Sequence, residues 1–191
     1  MINGGEKDRF TVVLDMIFTK TKIDGVYIIT QEPRIDNRGY FGRAFAKEEL
    51  KNHGIVFNIR HINRSFSKNK GVIRGLHYQR YPMQEDKLIS CIQGAIFDVA
   101  LDLRKGSKTY GQWIGGILSE ENKKMMLVPK GCAHGFQTLE RNSLVEYFVT
   151  QYYAPSYESG IRYNDPYFAI DWPVKKAIVS EKDGRWADFK K

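Results

Sequence analysis

Apolar residues recur at every second position over short runs closed by Gly, Pro or Asn along most of the chain, the period of half-buried β-strands. Residues 26–33 (VYIITQEP) read as a strand ended by Pro33, and residues 35–45 (IDNRGYFGRAF) as a turn leading into another strand. The pattern returns in VFNIRHINRSF, GVIRGLHYQ, KLISCIQ, AIFDVALDL, TYGQWIGGILS, KKMMLVP, CAHGFQTL and LVEYFVTQYY. Only AKEELKNHG, residues 46–54, reads as an early helix, with Gly54 as its stop signal. KLISCIQ and AIFDVALDL, joined at Gln93-Gly94, read as a hairpin. Its second arm sets Phe97, Val99, Leu101 and Leu103 against Ile96, Asp98, Ala100 and Asp102, one face apolar and one mixed.

Many even strands with short turns predict an antiparallel sandwich or barrel of jelly-roll type, whose interior can hold a ligand pocket. The 191 residues fit one domain, 1–191, long enough to bury a core without disulfides or structural metal. Residues 1–24 read as an arm or an added strand, with a strand expected over Thr11 to Phe18 and disorder over the first ten residues. Residues 157–191, with NDP, WP and a Lys-rich end, read as irregular chain and a short helix packed over the barrel.

Composition narrows the partners. With 42% apolar residues and no uninterrupted apolar run, nothing predicts a membrane span, and the start of the chain has no small-residue cleavage site. Cys91 and Cys132 stand alone without CxxC spacing, so a reducing cytoplasm is the expected compartment. A net charge of +8 favours an anionic partner. The basic residues are scattered singly and no nucleic-acid-binding signature accompanies them, which ranks a small phosphorylated ligand above a duplex.

The stretch GVIRGLHYQRYPMQEDKL sets Arg74, His77, Glu85 and Lys87 in what otherwise reads as sheet. Strict alternation turns Arg74 and His77 to opposite faces unless Gly75 introduces a bulge. A lone strand histidine is ordinarily a hydrogen-bonded structural residue, and Lys87 is equally well read as an exposed strand residue. VPKGCAHGF places His134 after a Pro-x-Gly turn, a spacing shared with cupin barrels, many of which bind metal through a His-x-His pair, a glutamate and a later histidine. Here Gln79 follows His77 at the second position, and Met83 and Gln84 occupy the places for the glutamate, so no metal site is expected. Without metal, His77 and His134 are free for proton transfer. Abstraction beside a carbonyl needs a base, a cation for the enolate oxygen and an opposed acid, and His77, Lys87 and Tyr147 supply the three types. Tyr147 is one of 11 tyrosines, and an aromatic in a barrel is commonly core.

In order along the chain, GVIRGLHYQ, KLISCIQGAIFDVALDLRKGSKTYGQW, LSEENKKMMLVPKGCAHGF, YYAP, NDP..AIDWP and SEKD closely resemble the dTDP-4-dehydrorhamnose 3,5-epimerase family, over about Gly25 to Asp183. The resemblance implies an all-β, cupin-like double-stranded β-helix (jelly roll) with short peripheral helices. It implies a homodimer acting without metal or organic cofactor on a nucleoside-diphosphate 4-keto-6-deoxyhexose, most simply a dTDP-sugar. By motif position, His77 would be the general base, Asp183 the carboxylate that orients it, and Lys87, supported by His134, the partner of the enolate oxygen. Tyr147 would be the acid on the opposite sugar face. Arg38 and Arg74 would hold the diphosphate or sugar, with Asn63, Gln79, Glu158 and Lys182 as further contacts. Glu85 is expected to be a solvated partner with no chemical role.

Two segments depart from the family pattern: Arg43 stands where glutamate is common, and HINRS (61–65) stands where Gln-Asp-Asn-x-Ser is frequent. Both are expected near nucleotide and sugar, which makes Arg43 and Asn63 candidates for setting which sugar nucleotide is accepted. Inversion at C3 alone, 3,4-ketoisomerisation, a metal-dependent cupin reaction and non-catalytic binding of a sugar nucleotide are the rival readings.

Overall fold

The computed structural model describes residues 16–190. In chain order the elements are β1 (Met16–Lys20), β2 (Tyr27–Gln31), β3 (Arg34–Asp36), β4 (Gly39–Phe41), α1 (Lys47–Asn52), β5 (His61–Ser67), β6 (Val72–Gln79) and β7 (Lys87–Gln93). They continue with β8 (Ala95–Asp102), β9 (Trp113–Ser119), β10 (Lys124–Val128), β11 (Cys132–Thr138), β12 (Ser143–Val149), β13 (Glu158–Gly160), β14 (Ile178–Val179) and α2 (Glu181–Gly184). One sheet has the order β1-β2-β10-β7-β12-β5 and the other β13-β6-β11-β8-β9, with β14 joining β6 in parallel. This is a cupin-like jelly roll. The expected N-terminal strand is present as β1 from Met16; its residues 11–15, like the first ten, lie outside the described residues.

Three apolar layers hold the sheets. Between them pack Ile89, Cys91, Val128 and Val145 of one sheet and Ile96, Ala100, Cys132 and Phe136 of the other. The outer face of the first sheet buries Tyr27, Ile29, Leu127 and Phe148 under Leu50 of α1 and Phe57. The outer face of the second buries Ile73, Leu76, Val99 and Leu101 under Ile161, Phe168, Ile170 and Trp172 of the C-terminal segment. Each fully buried side chain of this size contributes roughly 1.5–3 kcal/mol, so the tail is bound by a core of its own beyond the short ladders of β13 and β14.

These layers correct the expected hairpin at Gln93-Gly94. The strand β7 pairs with β10 and β12, while β8 pairs with β11 and β9, so the two arms never share a ladder. The chain turns a corner at Gly94, with φ +72°, from one sheet to the other. Alternation along β8 is as expected, but its apolar face, Phe97, Val99, Leu101 and Leu103, packs beneath the tail. The mixed face, with Ile96 and Ala100, looks into the barrel.

The bulge at Gly75 is present. His77 is level with His134 and Arg74 with Phe136, so Gly75 and Leu76 together oppose the single residue Gly135. Gly75 adopts φ +116°, and a Cβ there would lie 2.7 Å from Gly135 Cα and from the His134 carbonyl oxygen. Only glycine meets both demands. The extra residue puts Ile73 and Leu76, three apart, in the same outer core. By the same shift Arg74 and His77 both reach one cavity.

Candidate active site

The barrel interior opens into a cleft of two lobes, of about 530 Å³ and 460 Å³. Three side chains line both: His77, Lys87 and Tyr147. His77 comes from β6 in one sheet, and Lys87 and Tyr147 come from β7 and β12 in the other. The first lobe adds Arg74, His134, Lys182 and Asp183, and the second Asn63, Glu85, Tyr153 and Glu158.

His77 Nε2 lies 2.5 Å from Asp183 Oδ1, with the imidazole 31% exposed and the carboxylate 6%. Asp183 sits in α2, whose first turn is capped by the Ser180 hydroxyl accepting the Asp183 N–H at 3.1 Å. Its second oxygen accepts the Gly75 N–H at 3.3 Å, tying the helix to the bulge. Burial pushes this carboxyl up, but the bonds from His77 and Gly75 and the charge of His77 outweigh burial and hold it below the usual range. A charged Asp183 fixes the imidazole's orientation.

His134 repeats the motif one strand away, with Nε2 2.7 Å from Asp98 Oδ1. Asp98 is fully buried, and its Oδ2 has no hydrogen-bond partner among the described residues. Burial pushes Asp98 up, and the nearby His134 and Lys87 offset this only in part. Lys87 Nζ is 3.2 Å from Glu85 Oε1, both side chains 13% exposed. Tyr147 is half-buried; burial first and then the Glu85 charge push its phenol above the ordinary value, with Arg74 acting the other way. The phenol therefore keeps its proton at neutral pH. A base on one wall and a protonated acid on the opposite wall, with an ammonium on the acid's own sheet, can move a proton across the plane of a bound ring.

The family model described as dTDP-4-dehydrorhamnose 3,5-epimerase matches residues 20–191. This chain belongs to that family. An epimerase of the family from Methanothermobacter thermautotrophicus is 45% identical over 172 residues, covering 88% of this chain and 92% of that protein. The crystal structure of the Bacillus anthracis dTDP-4-dehydrorhamnose 3,5-epimerase, with TDP and PPi bound, superposes with a TM-score of 0.87 at 42% identity, over 92% of this chain and 100% of that one. A Legionella pneumophila dTDP-6-deoxy-D-glucose-3,5-epimerase in complex with dTDP-4-keto-L-rhamnose gives 0.84 at 43% identity, over 88% and 90%.

Of the residues expected at the site of this epimerase, His77, Lys87, Asp183, Tyr147, His134, Arg74, Asn63, Glu158 and Lys182 meet in the cleft. Arg74 is held by the Ser67 hydroxyl and the Phe66 carbonyl. Glu158 accepts hydrogen bonds from Lys182 at 2.6 Å and from the Tyr153 hydroxyl at 2.7 Å. Two expected contacts lie elsewhere in this chain. Arg38, its side chain 85% exposed, pairs with Asp36 on the β3-β4 hairpin, and Arg43 pairs with Glu49 of α1; neither lines a lobe. Gln79 reaches the second lobe but is buried, its amide donating to the Met83 and Tyr152 carbonyls and accepting from the Ala154 N–H. It organises the loop after β12 rather than offering a free donor. Glu85 corrects the expectation of a solvated residue: its side chain, 13% exposed, lines the second lobe beside Lys87. Asp98 was legible only as a member of a mixed strand face, and its signal is the buried mid-strand acid one diagonal step from His134. Among the described residues, no group of three His, Cys, Asp or Glu side chains is arranged to hold a metal ion.

Proposed function

We propose that the chain epimerises a dTDP-4-dehydro-6-deoxyhexose, dTDP-4-dehydro-6-deoxyglucose to dTDP-4-dehydrorhamnose, at C3 and C5. The observation that carries this reading is that, among the described residues, His77, Lys87 and Tyr147 alone line both lobes, and do so from opposing sheets. The C4 ketone acidifies the hydrogens on C3 and C5. His77, oriented by Asp183, removes one of them; the electron pair moves onto the C4 oxygen, which meets Lys87 with His134 behind it. Tyr147 then gives its phenolic proton to the carbon from the opposite face, inverting the centre. Proton exchange with solvent resets imidazolium and phenolate. No electron leaves the sugar, so side chains suffice and no cofactor is called for.

Arg74 and Lys182 make the first lobe cationic and suit a diphosphate, while Asn63 and Glu158 offer hydrogen bonds to sugar or nucleoside in the second. The working form is a homodimer. The β3-β4 hairpin exposes Ile35 at 78%, Tyr40 at 59% and Phe41 at 70%, a surface that a second copy would cover. Arg38 travels on that hairpin, so its expected ligand contact belongs to the dimer. Cytoplasmic location remains part of this proposal; among the described residues no helix is long and apolar enough to cross a membrane.

Proton NMR of dTDP-4-keto-6-deoxyglucose in deuterated water with chelator-treated protein tests the reading. Deuterium entering at C3 and C5 is expected. Entry at C3 alone would make the protein a 3-epimerase, and no exchange, with or without added metal, would overturn the epimerase assignment for this sugar.

A further inference from the structure

The carboxylates that line the cleft or lie just behind its wall, Glu85 apart, are already engaged in ways described above. Asp183 orients His77, Asp98 bonds His134, and Glu158 binds Lys182 and Tyr153. Glu85 remains. It stands just before β7, and the chain there already alternates as a strand. Asp86 turns away from the cleft, where it accepts the Lys130 N–H at 2.9 Å and the Thr150 hydroxyl at 3.1 Å, while its own N–H donates to that hydroxyl oxygen at 2.8 Å. With Asp86 anchored on one side, Glu85 and Lys87 project together on the other. Their Nζ–Oε1 distance is 3.2 Å at 13% exposure each, which makes the pair a desolvated contact rather than a surface ion pair.

We propose that Glu85 is a positioning residue of the epimerase site: its carboxylate pins the Lys87 ammonium where the two lobes meet, next to Tyr147. This rests on the reaction proposed above. A lysine chain has four rotatable bonds, and an untethered ammonium in a cavity of this size would sample positions out of reach of the C4 oxygen. The same carboxylate places a negative charge beside the phenol. Tyr147 shares its two lobes with Arg74, His77 and Tyr78 from β6, Lys87 from β7 and Glu85 just before it, His134 from β11, Lys182 and Asp183 from α2, Tyr153, Glu158 from β13 and His61 from β5. Burial is the first cause that holds the phenol protonated, Glu85 is the charge that adds to it, and Arg74 acts the other way. Glu85 therefore keeps the acid loaded while it aims the cation.

Glu85→Gln preserves the shape and removes the charge. It is expected to lower kcat about tenfold, less than the 10²–10³ lost when an oxyanion donor is deleted outright, with a smaller change in KM. The basic limb of the kcat/KM profile is expected to move to lower pH. In protein labelled with ¹³C at the tyrosine ring, with Tyr147→Phe assigning the resonance, the Tyr147 ionisation midpoint is expected to fall in Glu85→Gln and to stay in Glu85→Asp, which keeps the charge. An unmoved midpoint in Glu85→Gln would overturn the proposal, as would a rise in KM with kcat intact, which would make Glu85 a substrate contact. The midpoint is read without substrate, so it decides the matter even if the wild-type protein fails to exchange protons on this sugar.

Discussion

A carboxylate can hold an imidazole in place only while it stays charged, and in this chain the Gly75 N–H and the His77 ring each reach one Asp183 oxygen while the Ser180 cap seats the short helix that carries it. Asp183→Asn keeps a similar side-chain volume and the Gly75 contact but replaces the charged acceptor against which the His77 ring is held. We expect kcat to fall by roughly 10²–10⁴, the usual range for a general base deprived of its function, with far-UV circular dichroism unchanged; an activity loss under twofold would remove Asp183 from the mechanism. The sign on stability follows from the same carboxyl. Its folded pKa is depressed, so its contribution is complete above the ordinary value of 3.8 and is lost as pH falls below it. Urea denaturation should therefore show wild type more stable than Asp183→Asn at pH 7, with the gap closing toward pH 3. His77, Lys87 and Tyr147 were legible in the sequence because motifs carry them. Glu85 and Asp98 were not, because a polar residue on a strand gains a role only once it is known which face turns into the barrel.

At the scale of elements, β6 determines whether the site exists. Without the extra residue at Gly75-Leu76, Arg74 and His77 would lie on opposite faces, and one of them would enter the core now filled by Ile73 and Leu76. Gly75→Ala is predicted to destabilise the fold by about 2–4 kcal/mol, from a strained φ and an overpacked contact with Gly135, and to reduce activity by more than that loss of stability explains. Thermal melts and single-turnover rates on the folded fraction separate the two effects; a variant with wild-type Tm and rate would show that the bulge tolerates a side chain. Alternation in the sequence identified nearly every strand, and Gly75 flagged the bulge. It did not reveal the corner at Gly94, because period-two alternation reports the two sides of a strand and not which sheet supplies its neighbours. The strand read through LVEYFVTQYY also stops early, at Val149, where the Gln79 amide captures the Tyr152 carbonyl and the Ala154 N–H.

For the whole molecule, three apolar layers are closed and the β3-β4 hairpin lies outside all of them. The barrel interior, the face under α1 and the face under the C-terminal tail each enclose a core. The β3-β4 hairpin buries none of its large apolar side chains: Ile35, Tyr40 and Phe41 stay exposed, with Lys123 Nζ 3.9 Å from the Tyr40 ring centroid. A two-stranded hairpin of three residues a side has little stability of its own in water. Its apolar side chains and its order are both accounted for if a second copy packs against it, as the proposed homodimer requires. A Tyr40→Ser, Phe41→Ser double variant changes only exposed positions, so each chain should keep its own fold and melt cooperatively. Sedimentation is expected to show wild type as a dimer and the variant as a monomer at micromolar concentration. If Arg38 serves the ligand only within the dimer, KM for the sugar nucleotide should rise in the same variant while the His77–Asp183 pair, built wholly within one chain, leaves kcat closer to wild type. A variant that stays dimeric would place the interface elsewhere, and with it the reason for the exposed hairpin.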